Sequence, residues 1–242
     1  MEIKALTNRN LPKVSHKINN GATSISYKTV DNNVLKRYIL NSVYLKMIES
    51  HEEGYLNYLK ELSSLESDLI VQIETALIGK NNMVGAVVYP YQAGVTLNEL
   101  YSKVNLELLR DALKACHELL LELDSLKLKD IHYRNIIYTG DIKIIDLDFC
   151  EFSSELGLVR RNIKHVNNYI IRGLFKLDIK SDIKVDPRIK NVFDSVMDGE
   201  CGAYEFLDEY MILEGKDKGK CKYYKHLTKD YISEVPYGNH KN

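Results

Sequence analysis

Apolar and polar residues alternate through Ser24–Lys28 of "SISYKTV" (24–30), and "NVLKRYIL" (33–40) is rich in aliphatic and aromatic residues; the two stretches flank the turn "DNN". That pattern predicts a β-hairpin, and residues 18–40 as a whole read as short strands joined by turns. The period then changes. Tyr44, Met47, Ile48, Tyr55, Leu56, Leu59 and Leu62 recur mostly three or four apart, which predicts one helix over residues 43–62. Two further strand patterns, "DLIVQIETALI" and "MVGAVVYPY", surround the turn "GKNN". The clearest amphipathic helix follows, with Leu106, Leu109, Leu113, Cys116, Leu120 and Leu123 on one stripe and Asn105 as its N-cap. Next come a loop, the strand "NIIY", the turn "TGD" and the strand "IKIIDL". After Glu151 the pattern turns helical, in "VRRNIKHVNNYIIRGLF" and "ECGAYEFLDEYMIL".

Strands with one helix, followed by a mostly helical part with an embedded hairpin, predict an α+β chain. Its β-rich first part and helical second part meet near "YPYQAGVTL", where Pro90 and Gly94 suit a turn. The expected domains are residues 1–90 and 91–242. A chain of 242 residues is long enough for one large domain or two small lobes.

Charge and composition narrow the function classes. A net charge of −1 gives no general pull toward nucleic acid or a membrane surface, so neither is an expected partner. The tail from Lys216 to Asn242 is locally basic, with seven Lys against three acids, and reads as a solvated end. Cys116, Cys150, Cys201 and Cys221 lie far apart with no C-x-x-C pair, which argues against a zinc site or disulfide framework. No apolar run approaches the roughly 20 residues of a membrane span, and the first residues lack a signal-peptide core. A cytoplasmic protein is the expectation.

The candidate chemistry lies in "DIHYRNIIYTGDIKIIDLDF", from Asp130 to Phe149. Asp130 and Asn135 are five apart across a loop that enters a strand, and Asp146 ends the strand that folds back on it. All three can converge at one end of the hairpin. A carboxylate and an amide oxygen are hard donors suited to Mg²⁺. A further carboxylate can accept a proton from an attacking hydroxyl. Together these are what phosphoryl transfer needs, since catalysis there is mostly positioning and charge neutralisation.

"KDIHYRN" followed by "DLD" resembles the catalytic loop and metal-binding segment of the protein-kinase-like superfamily, H-R-D-x-x-x-x-N … D-F-G. The resemblance is to an atypical bacterial-type Ser/Thr kinase, with features of the aminoglycoside- and choline-phosphotransferase relatives. It implies a bilobal fold, with a small β-rich N-lobe carrying one helix and a larger, mainly helical C-lobe, and ATP between them. Asp130 takes the place of the catalytic Asp, while Asn135 and Asp146 take the metal-binding positions, with Asp148 as an additional acid beside the metal. "NNVLKRY" resembles the strand V-A-I-K, which makes Lys36 the phosphate lysine, with Arg37 as a competing cation. Glu52 fits the helix Glu that holds this lysine, since Leu56 and Leu59 follow it, and the adjacent Glu53 is the alternative. "INNGATSISYK" resembles the glycine-rich loop, with only Gly21 surviving and Asn19 and Ser24 in the outer positions. "VVYPYQAGVTLNELY" resembles the hinge, where backbone groups of Pro90 and Gln92 would meet adenine. These likenesses cover about residues 18–150.

The departures are informative. Leu128 and Lys129 replace the His and Arg before the catalytic Asp, so an activation-loop phosphate would lose its usual partner. His132 stands where protein kinases have Lys, as in the small-molecule kinase relatives. The segment from Asp146 to the next helix is short, and no A-P-E motif closes it. The resemblance implies an ATP- and Mg²⁺-dependent phosphotransferase acting on a protein Ser/Thr or a small alcohol. The rival expectation is a pseudokinase, a nucleotide- or protein-binding scaffold. The residues also have structural readings: a solvated acid at Asp130 or Glu52, a snorkelling Lys36, and an ordinary turn glycine at Gly21.

Overall fold

The alternating stretch of residues 24–40 forms an antiparallel hairpin in a computed structural model of the chain. The structure describes residues 1–51, 54–103, 106–129, 131, 134–178, 180–218 and 231–235. They form a mixed α+β fold that divides into two units, Met1–Ala93 and Gly94–Asn242.

The first unit contains β1 (Glu2–Ala5), β2 (Val14–Asn20), β3 (Ser24–Thr29), β4 (Asn33–Tyr38), α1 (Ser42–Glu49), α2 (Tyr55–Ser64), β5 (Thr75–Ile78) and β6 (Val84–Pro90). Its sheet runs in the order β1-β5-β6-β4-β3-β2. The pair β1–β5 is parallel, and the other pairs are antiparallel. Asn32 turns the β3–β4 hairpin at φ 59°, a conformation that Asn tolerates better than most side chains. In β4, cross-strand pairing puts Lys36 opposite Val87 and Ser26, and Leu35 opposite Val88 and Tyr27. The Leu35 side joins Leu77, Ala86 and Val88 in a core closed by Leu6, Leu11 and Tyr27. On the Lys36 side, Tyr38 meets rings from both helices.

The single helix expected over residues 43–62 is two. Asn41 opens α1 by accepting from the Val43 and Tyr44 amides, at 3.1 and 2.9 Å. α2 starts after Gly54, whose φ of 86° belongs to a backbone that glycine alone adopts freely. Tyr44 and Met47 before the break, and Tyr55, Tyr58, Leu59 and Leu62 after it, are all buried, so the apolar stripe concealed the interruption. The first unit therefore has two helices rather than one. Of "DLIVQIETALI" only Thr75–Ile78 is a strand. β1 was not anticipated: its alternation of Glu2, Ile3, Lys4 and Ala5 spans only four residues, and the strand is mostly exposed.

The second unit contains β7 (Val95–Thr96), α3 (Leu97–Lys103), α4 (Leu106–Glu122), β8 (Leu126–Lys127), β9 (Ile136–Tyr138), β10 (Ile142–Ile144), β11 (Glu151–Phe152), α5 (Leu158–Phe175), β12 (Ile183–Val185), α6 (Lys190–Met197), α7 (Ala203–Lys218) and β13 (Ile232–Glu234). The six apolar residues of the α4 stripe are all buried, and the Asn105 cap lies outside the described residues. Arg110 of α4 pairs with Asp208 of α7 at 2.6 Å. Phe175, Phe193, Phe206, Tyr210 and Tyr231 form a chain of ring contacts that ties α5, α6 and α7 to the segment entering β13. The stretch after Glu151, expected to be helical, begins instead as β11 paired with β8, and the helix starts only at Leu158. Among the described residues no helix is long and apolar enough to cross a membrane.

Candidate functional site

The hairpin β9–β10 is built on buried isoleucines. Ile136, Ile142 and Ile144 are fully covered, and the register sets Ile144 opposite Ile136 and Ile142 opposite Tyr138. The turn closes with the Thr139 amide donating to the Asp141 carbonyl at 2.9 Å, around Gly140 at φ 109°. β7 pairs with the other edge of β9. The ladder runs one step beyond the strands, because the Ile145 amide donates to the Asn135 carbonyl at 2.9 Å. Asn135 therefore lies opposite Ile145, and Asp146 comes next in the chain.

Asp146 does not end the strand as expected. It lies two residues past β10, exposed, with φ 62°. A non-glycine residue in the left-handed region is uncommon, and such residues concentrate at functional sites. Asn135 and Asp148 are both buried, and Leu147 and Cys150 bracket Asp148 in a turn closed by a 3.0 Å bond from the Cys150 amide to the Leu147 carbonyl. The structure thus brings Asn135 and Asp146 together at one end of the hairpin. Asp130 and His132 lie outside the described residues.

The chain leading to position 130 is tied down at several points. β8 pairs with β11, setting Lys127 opposite Glu151. The Ser153 amide donates to the Ser125 carbonyl at 2.9 Å. Lys129 forms an ion pair with Glu151, and Lys127 reaches Glu155 at 3.3 Å. The hydrogen bond from Lys127 and the nearby Arg161 charge hold the Glu155 carboxyl below its ordinary range. Beneath them sits Asn162 of α5, 2% exposed. Its Oδ1 accepts from the Leu128 amide at 3.0 Å, and its Nδ2 donates to the carbonyls of Leu126 at 2.7 Å and Leu123 at 3.4 Å. Sequence reasoning missed Asn162. The signal was present: Leu158, Asn162, Val166 and Ile170 fall four apart, so the amide occupies a core position of its helix.

Among the described residues no group of three or more His, Cys, Asp or Glu side chains is arranged to hold a metal ion. That count leaves out amides such as Asn135. An amide and one or two carboxylates offer oxygen donors only, which suits Mg²⁺ with waters completing its shell and does not suit zinc.

In the first unit Lys36 is 4% exposed, with its ammonium 5.7 Å from the centre of the Tyr38 ring, while Arg37 is exposed. A buried lysine is uncommon and requires compensating contacts, whereas an exposed arginine does not. Glu52 and Glu53 fall between α1 and α2 in sequence and lie outside the described residues. Gly21 sits between β2 and β3, with its amide donating to the Ser24 carbonyl at 2.8 Å. A methyl group added there would meet that carbonyl only at ordinary contact distance, 3.4 Å. Pro90 closes β6 opposite Asn33, and the Gln92 side chain donates to its carbonyl at 3.4 Å. Pro90 can offer adenine only an acceptor, because proline has no amide hydrogen.

No protein-family model matches the chain. A search of curated proteins likewise finds no match.

Proposed function

We propose that the protein is an ATP- and Mg²⁺-dependent phosphotransferase of the protein-kinase-like type, transferring the γ-phosphoryl group to a hydroxyl of a protein or small-molecule acceptor. The observation that carries this reading is that Asn135 lies opposite Ile145, at the same end of the hairpin as an exposed Asp146 whose backbone has φ 62°. A carboxylate directed by an uncommon backbone, beside a strand-end amide, is what an oxygen-seeking divalent ion requires.

Lys36 neutralises the α- and β-phosphates, and its burial keeps that charge in a weakly screened setting. Gly21 lies in the loop that covers the phosphates, and Pro90 and Gln92 present backbone groups to adenine. Asn135, Asp146 and Asp148 would hold the Mg²⁺, which when bound would neutralise charge on the transferring phosphoryl group. Asp130 accepts the proton of the acceptor hydroxyl as the new O–P bond forms. The bond from the γ-phosphorus to the bridging oxygen breaks, and ADP departs with the electron pair. Glu52 holds Lys36 in place.

Purified protein with radiolabelled ATP and Mg²⁺ tests the proposal. The expected result is label transfer to the protein itself, to a generic protein, or to an added hydroxyl metabolite, abolished by Asp146→Ala. A Mg-ATP thermal shift without transfer to any acceptor indicates a nucleotide-binding scaffold and overturns the enzyme reading. No thermal shift at all overturns the nucleotide site.

A further inference from the structure

Around Lys36 the first unit holds a cluster of buried aromatic side chains that no role above explains. Tyr38, Tyr44, His51, Tyr55 and Tyr58 are all buried. Tyr38 follows Lys36 by two residues in β4, so both side chains stand on the same side of the sheet. The Tyr38 ring stacks on Tyr44 of α1, with centroids 5.1 Å apart, and meets Tyr55 of α2 edge-on at 5.8 Å. The phenol oxygens of Tyr38 and Tyr55 are 2.6 Å apart. Tyr44 donates its hydroxyl to the Val84 carbonyl on β6. His51 stacks on Tyr58 at 4.1 Å and lies 5.3 Å from Tyr55.

Phenylalanines in place of Tyr38, Tyr44 and Tyr55 would fill the same space without hydroxyls to satisfy. A buried hydroxyl is costly unless it is bonded, and once bonded it adds direction to what would otherwise be adaptable packing. The Tyr38–Tyr55 bond fixes the tilt of the Tyr38 ring. That ring is also the π face within reach of the Lys36 ammonium, since 5.7 Å lies inside the range of a cation–π contact.

We infer that Tyr38 and Tyr55 are positioning residues for Lys36: their hydroxyl bond orients the ring against which the ammonium rests, and so couples the hold on phosphate to the seating of α2 on the sheet. This rests on the reading of Lys36 as the nucleotide lysine. Neither tyrosine touches the nucleotide. Both act through Lys36.

The test is calorimetric titration of the full chain with Mg-ATP, using Tyr38→Phe, Tyr55→Phe, the double variant, Lys36→Met, and each Phe variant combined with Lys36→Met. Each Phe change keeps the ring and removes one hydroxyl. The expected weakening for each is about fivefold, the equivalent of one ordinary hydrogen bond. The double variant should bind no more weakly than either single one, because both remove the same bond. In the Lys36→Met background neither Phe change should matter, a non-additivity that a purely structural role does not produce. Equal weakening with and without Lys36, or none in either single variant, overturns the inference while leaving the nucleotide site intact. Wild-type protein that binds no Mg-ATP overturns the reading of Lys36 itself and this inference with it. A second measurement needs no nucleotide. Tyr38→Leu should abolish a ring-current shift at the Lys36 ε-methylene protons, and an unchanged resonance would overturn the contact.

Discussion

Lys36 and Asp146 are held in opposite ways. Lys36 stands in mid-strand, paired on both sides, 4% exposed and packed against aromatic rings. Asp146 stands outside any strand, exposed, with its direction set by φ 62°. The lysine is enclosed by its neighbours, while the aspartate joins exposure to an uncommon backbone conformation. In the proposed function, a cation that meets the α- and β-phosphates can be fixed by packing. In the same proposal, a carboxylate that shares an ion with waters must remain wet, and an uncommon main-chain conformation helps to direct it. Mutations should therefore separate function from stability at Asp146, and should separate one cation from its neighbour at Lys36.

The largest expected effect is at Asp146. Asp146→Gly should reduce Mg-ATP turnover roughly a thousandfold or more, the scale of losing a principal charge-stabilising group. The same change suits a left-handed backbone and should leave the fold as stable or about 0.5–1 kcal/mol more stable. Denaturant titration beside the activity assay reads both, and a clear loss of stability would contradict the strained-backbone account. Asn162→Ala comes next. It strands the Leu128 amide and the Leu126 carbonyl in a buried setting and should cost about 2–4 kcal/mol, seen as a lower urea midpoint. Lys36→Met should then weaken Mg-ATP binding about tenfold or more, while Arg37→Met, on the same strand but exposed, leaves affinity unchanged. Equal effects from the two would remove the distinction drawn from burial.

The smallest effect sets a control carboxylate beside Asp146. Two side-chain bonds from Arg188, and its amide, hold Asp186, lowering the carboxyl to about 2 from an ordinary 3.8. A depressed pKa stabilises the fold above 3.8, and that contribution is lost as pH falls toward 2. Asp186→Asn should flatten the acid limb of unfolding in that window alone. An unchanged limb would show that the Arg188 contacts do not stabilise the fold in solution.

The α+β character was legible because the periodicities are strong. In β4 the apolar residues Val34, Leu35 and Tyr38 are buried, and so is the Leu106–Leu120 stripe of α4. The break between α1 and α2 was not legible, because Gly54 leaves the apolar spacing intact on both sides while changing the backbone. β8 and β11 are two residues each, too short for a period, and exist through pairing with one another. At the candidate site, the folding of one strand back on the other was legible from the turn "TGD", but the strand ends at Ile144, before the expected Asp146. The left-handed backbone at Asp146 was not legible, since aspartate is compatible with several conformations and only the chain on either side selects one. Tyr38 and Tyr55 were read as strand and helix residues, because the meeting of their hydroxyls depends on tertiary packing.

Asn162 presents an acceptor to one backbone group of the neighbouring segment and donors to two others. Only one alignment of that segment on α5 satisfies all of them. A slip by one residue would set donor against donor or oxygen against oxygen. The two-residue strand that leads toward position 130 is too brief to choose its own alignment, so an amide lodged in a helix more than thirty residues downstream joins the pairing with β11 in proofreading it.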